Sequence, residues 1–81
     1  MKLDVRLFAQ ARDLAGAEHV SVELPDSSTV ADLREALAAQ FPQLAPLSPN
    51  LLIAIGTDYA SDETVLSPDA DIACFPPVSG G

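Results

Sequence analysis

A single cysteine, Cys74, stands among the 81 residues, so no internal disulfide framework can staple the fold. A lone thiol of this kind fits a reducing cytosol. Basic residues are nearly as scarce, with four Lys and Arg against twelve Asp and Glu, a formal net charge of -8. That balance repels phosphate backbones and anionic lipid, which argues against nucleic acid and membrane surfaces as partners. It fits a basic protein surface, and it fits a plain solubility role equally well. Also lacking is any continuous apolar run of the kind a signal peptide or membrane span requires. The opening Met1-Lys2-Leu3-Asp4-Val5-Arg6 alternates charged and apolar residues instead. The expectation is a soluble, cytoplasmic protein.

Enzyme constellations are missing too. The chain has one histidine, no glycine-rich phosphate loop and no cluster of ligands at metal spacing, so no metal, bound cofactor or self-contained active site is expected. His19 opens a predicted strand and reads as a solvated or hydrogen-bonded surface residue. Cys74 shares a strand face with Ile72 and reads as a small buried hydrophobe. The carboxylate pairs Asp62 and Glu63, and Asp69 and Asp71, sit in turn-like sequence and read as solvated loop charges.

Nearly half the residues are apolar, enough for one modest core, since chains of this size bury only about 60% of their unfolded surface. Leu3, Val5 and Leu7 alternate with polar neighbours and predict a strand from Lys2 to Phe8. Gln10 to Gly16 suits a short helical turn closed by Gly16. Val20, Val22 and Leu24 predict a second strand, ended by Pro25-Asp26-Ser27-Ser28. Thr29 and Asp32 have the spacing of a capping box, and Val30, Leu33, Leu37 and Phe41 then recur at helical spacing until Pro42, while Asp32, Arg34, Glu35 and Gln40 fall mostly on the other, outer faces. Gln43 to Asn50 reads as a connection, Leu51 to Ile55 as an interior strand, Tyr59-Ala60 as a short strand and Ile72 to Phe75 as the last.

A hairpin, one main helix and a return to further strands packs that helix on one face of a mixed sheet, the ubiquitin-like β-grasp arrangement of the α+β class. Periodicity alone leaves other small α+β folds open. Residues 1–75 form the predicted domain. Residues 76–81 form an extended tail, held straight at its root by Pro76 and Pro77, then Val78, Ser79, Gly80 and Gly81. Six residues beyond Phe75 span about 20 Å at about 3.3 Å each, enough to enter a deep cleft in another protein. Two residues without side chains let the backbone pass a narrow channel. What arrives at its end is the carboxylate of Gly81. For a Gly-Gly pair alone a frayed end is the default reading. Behind a strand ending in Phe-Pro-Pro, an inserted tail is the better one, mobile when free and ordered on docking.

The ending Phe75 to Gly81 with Asp71-Ile72-Ala73 before it, and the opening Leu7-Phe8-Ala9-Gln10-Ala11-Arg12-Asp13-Leu14-Ala15-Gly16, resemble the molybdopterin synthase small subunits. The resemblance covers the whole chain. Gly56 stands where that family often has asparagine, and Ala70 where it usually has a turn glycine. The resemblance implies a sulfur carrier. A ubiquitin-activating-type adenylyltransferase would use ATP to adenylate Gly81, and a sulfurtransferase system would convert it to a thiocarboxylate. The synthase large subunit would then accept the tail and pass the sulfur to cyclic pyranopterin monophosphate, building the dithiolene of the molybdenum cofactor. A pair of carriers would flank a dimeric large subunit, which holds the catalytic side chains. Other destinations are thiamin synthesis, tRNA thiolation or attachment to lysines as a modifier, and a module of another class would bind partners without terminal chemistry.

Phe8 and Phe75 are each out of phase with their core-facing neighbours, and the first and last strands of a β-grasp sheet are adjacent. Both rings are therefore expected on the face away from the helix, at the root of the tail, as a docking patch. The other reading tucks them under a loop as satellite core. Tyr59, at a position that is apolar in the resembled family, extends the patch. Arg12 either pairs with Asp13 or contacts the partner.

Overall fold

A computed structural model describes residues 1–77. Strand β1 (Lys2–Leu7) is followed by helix α1 (Ala9–Ala15), β2 (His19–Glu23), helix α2 (Val30–Gln40), two 3-10 turns (Pro42–Leu44 and Ser48–Asn50), β3 (Leu52–Ile55), β4 (Asp58–Tyr59) and β5 (Ile72–Phe75). The strands form one mixed sheet in the order β2-β1-β5-β3-β4. β1 pairs antiparallel with β2 and parallel with β5, placing Val5 beside Ile72 and Leu7 beside Cys74. This is the expected β-grasp, with the first strand and the last side by side at its centre.

Alternation decides which face is buried. Leu3, Val5 and Leu7 of β1, Val20 and Val22 of β2, Ile53 of β3, and Ile72 and Cys74 of β5 all point to one side. There they meet Val30, Leu33 and Leu37 of α2 and Ala11 of α1. Thr29 caps α2 as its spacing predicts: its hydroxyl accepts from the Asp32 amide, and the Asp32 carboxylate accepts from the Thr29 amide at 2.9 Å. The helix ends at Phe41, because Pro42 has no amide hydrogen with which to continue it.

Three features differ from the expectations. The segment before Gly16 is a seven-residue helix, not merely a turn, closed by Gly16 in the left-handed region at φ 74°. The connection Gln43 to Asn50 contains core: Leu44 is fully buried and Leu47 packs against the same cluster. Arg34 and Gln40, assigned to the outer faces of α2, make structural bonds. Arg34 donates to the carbonyls of Ser48 and Leu51 and to the Asp62 carboxylate at 2.9 Å, while the Ser48 hydroxyl returns a 2.6 Å bond to the Arg34 carbonyl. The Gln40 amide accepts from the Glu23 N–H at 3.2 Å and donates to the Glu23 carbonyl at 2.9 Å, closing one end of the edge strand β2.

Candidate functional site

The sheet face away from α2 is the open one, and its chemistry gathers where β5 ends. Phe8, one residue past β1, stacks on Phe75 with ring centroids 4.7 Å apart and planes 11° from parallel. Tyr59, from β4, meets Phe75 edge-on at 6.5 Å. Sheet order explains the meeting. β3 lies between β4 and β5, its Ala54 opposite both Tyr59 and Ala73, and the Phe8 amide donates to the Cys74 carbonyl at 3.2 Å. Ala54 and Ala73 are small, so the rings close over them. The Arg6 guanidinium lies 6.0 Å from the Phe8 ring centre, within cation–π range, and pairs with Asp71 at 3.0 Å.

Phe8 and Phe75 are half-buried against one another, whereas Tyr59 is 71% exposed and Leu52 is 39% exposed. Leu52 is a member that sequence reasoning missed. It stands opposite Phe75 in the register, but within the apolar run Leu51 to Ile55 nothing local marks it as the residue facing out. Beside these rings is an open cleft of about 460 Å³ lined by Ala9, Gln10, Leu52, Tyr59, Phe75, Pro76 and Pro77. Ala9 adopts φ 53°, a left-handed value that is costly for a residue with a Cβ, at the bend that takes the chain from β1 into α1. Apolar side chains with an exposed tyrosine at one rim are the composition of a protein-docking surface.

The remaining sequence candidates fall into place around this patch. Arg12 lies on α1, 3.8 Å from Asp13, the local pairing. Pro76 and Pro77 line the cleft, while Val78, Ser79, Gly80 and Gly81 lie outside the described residues. His19 sits at the surface with Nδ1 3.2 Å from Asp4. Asp62 and Asp71 are taken up by Arg34 and Arg6. Cys74 is buried on the inner face of β5, and burial pushes its thiol up to about 12 although the charge of Arg34 pulls the other way. Gly56 has φ 65°, a backbone that asparagine also tolerates, whereas Ala70 is half-buried and is not among the described residues with positive φ. Neither departure disturbs its turn. Among the described residues no three His, Cys, Asp or Glu gather as a metal site, and no helix is long and apolar enough to cross a membrane.

A five-stranded β-grasp sheet whose central strand leads directly into a C-terminal segment, with stacked aromatics at the point of exit, defines a ubiquitin-like domain. The chain belongs to the ThiS family, which its residues 5–81 match. It is 36% identical over 84 residues to the molybdopterin synthase sulfur carrier subunit of Drosophila yakuba, covering 100% of this chain and 92% of that one. The protein of the same name from Arabidopsis thaliana is 30% identical over 81 residues, covering 100% and 84%. Among solved structures, SAMP1 of Haloferax volcanii superposes with a TM-score of 0.84 at 26% identity, covering 100% of both chains.

Proposed function

We propose that this chain is the sulfur carrier subunit of a molybdopterin synthase. The observation that carries the reading is the end-to-end similarity to proteins of that name. In the cytoplasm an adenylyltransferase of the ubiquitin-activating type spends ATP to convert the Gly81 carboxylate into an acyl-adenylate. A sulfurtransferase system then displaces AMP with sulfur, giving a thiocarboxylate. The Phe8, Tyr59 and Phe75 surface seats the domain on the large subunit while Pro76, Pro77, Val78, Ser79 and Gly80 carry Gly81 into its active site. There the polarizable, ionised sulfur attacks cyclic pyranopterin monophosphate, and hydrolysis of the acyl bond frees the carrier with a carboxylate end. Acid–base side chains are supplied by the large subunit, and this chain itself holds no cofactor.

The likeness to SAMP1 favours a second reading, since solved structures of that protein are described as those of a small archaeal modifier. There Gly81 would end in an amide to a lysine of another protein. A single-turnover reaction separates the two. Thiocarboxylated chain, the large subunit from the same organism and cyclic pyranopterin monophosphate are expected to yield dithiolene product, and unmodified chain none. No product from chain whose intact mass confirms sulfur loading would refute the synthase reading.

A further inference from the structure

Activating a C-terminal carboxylate makes it an electrophile, open to capture by any amine or thiolate of its own chain that can reach it. We infer that this fold holds the chain's own amines and its one thiol away from Gly81, so that an activated terminus survives to be handed to another protein. The inference rests on the carrier reading above and concerns the placement of three residue types: lysine, cysteine and arginine.

Lys2 is the one lysine and Cys74 the one cysteine in the sequence. Cys74 is the residue just before Phe75, close to the tail in sequence, yet its side chain is fully buried on the opposite face of the sheet from the aromatic patch. Its thiol, pushed up to about 12 by burial, carries almost no thiolate at neutral pH. Lys2 is exposed but opens β1, which runs parallel to β5 with Val5 beside Ile72. Lys2 is therefore three positions behind that level and Phe75 three ahead, about 20 Å apart at about 3.3 Å per residue. The six residues from Phe75 to Gly81 also span about 20 Å when fully drawn out. Allowing for the reach of its own side chain, Lys2 meets Gly81 only if most of the tail doubles straight back along the sheet. The Met1 amino group, at the same far end, is engaged with the Leu24 carbonyl at 2.6 Å.

Of the arginines, Arg6 lies against the Phe8 ring, and Arg12 sits on α1, which begins one residue past Phe8. Guanidinium groups remain protonated and carry no lone pair for attack, so they provide positive charge without a nucleophile. Among the described residues, the cleft where the tail begins is lined by no amine and no thiol. The reaction avoided is simple. An amine lone pair attacks the Gly81 carbonyl carbon, a C–N bond forms, the bond to AMP or thiol breaks, the leaving group takes the electron pair, and the amine proton passes to solvent. The product is a lactam one water lighter than the free chain.

The test uses the full chain bearing a Gly81 thioester installed chemically, so that no activating enzyme is involved, followed at pH 8 by intact mass. The wild-type thioester is expected to hydrolyse with only traces of lactam. Gln10→Lys and Arg6→Lys are expected to form lactam at least tenfold faster, with the cross-link mapping to the new lysine. Wild type closing through Lys2 as fast as the variants, or variants no faster than wild type, would overturn the inference. In guanidinium, where the fold is lost, Cys74 is expected to capture the wild-type thioester at least tenfold faster than in the native chain, and Cys74→Ala is expected not to. No acceleration on unfolding would overturn it as well. The carrier reading stands or falls separately, in the dithiolene assay.

Discussion

Replacing Arg34 with methionine should cost about a third of the stability of the domain. Methionine keeps much of the apolar stem and removes only the guanidinium. Leu51 is buried, and its carbonyl loses the Arg34 Nη1 donor, which costs about 2 kcal/mol for a buried acceptor left unpaired. The Ser48 carbonyl loses a 3.2 Å bond but keeps a long 3.4 Å one from the Leu51 amide, adding about 0.5 kcal/mol. The Asp62 carboxylate is 60% exposed, so its ion pair contributes at most about 0.5 kcal/mol. The sum is about 3 kcal/mol, against about 8 kcal/mol for a domain of this length at about 0.1 kcal/mol per residue. In urea, with a slope of about 1 kcal/mol/M, the midpoint should fall by about 3 M with the slope unchanged. Asp62→Asn should move it by less than about 0.5 M on the same ledger. A drop below about 0.5 M for Arg34→Met, or an equal drop for Asp62→Asn, would refute the assignment of the cost to the buried carbonyls.

Cys74 links stability to alkaline pH. Its folded value, near 12, lies above the ordinary 9.0, so between those limits the unfolded chain loses a proton that the folded chain retains. Stability therefore declines as pH rises from about 9 toward about 12, and Cys74→Ala should flatten that slope in urea titrations at pH 8, 9.5 and 11; equal slopes in the two chains would contradict it. At Gly56 the backbone has φ 65° and an added Cβ meets nothing within 4 Å, so only backbone strain is at stake. Gly56→Ala should cost about 1 kcal/mol and Gly56→Asn distinctly less, read from thermal melting; equal losses would point to a steric cause that the geometry lacks.

The features legible in the sequence are those whose physics is local. Alternation around Leu3, Val5 and Leu7 reports burial on one side of a strand. The Thr29 and Asp32 spacing is a hydrogen-bonding pattern contained within four residues. The neighbouring positions of Phe8 and Phe75 followed once the first and last strands were expected to pair, and their stacking agrees with it. What stayed hidden depends on distant partners. Arg34 finds its acceptors 14 and 17 residues away, and its own helix gives no sign of them. Leu52 is exposed because, among the described residues, no helix covers that face of the sheet, a fact about the packing of layers that an all-apolar run cannot express. Leu66 is buried in a segment without regular structure, close to the isolated bridge between Thr29 and Val65.

The place of β5 in the sheet has a mechanical consequence. β5 is bonded on both sides, over three residue pairs to β1 and four to β3, and the tail is its direct continuation. A pull on the tail along the strand loads both ladders in shear, so that their bonds share the force instead of opening one after another. An edge strand pulled sideways would peel. A load applied through the tail is therefore borne by the centre of the sheet, without unravelling the domain behind it.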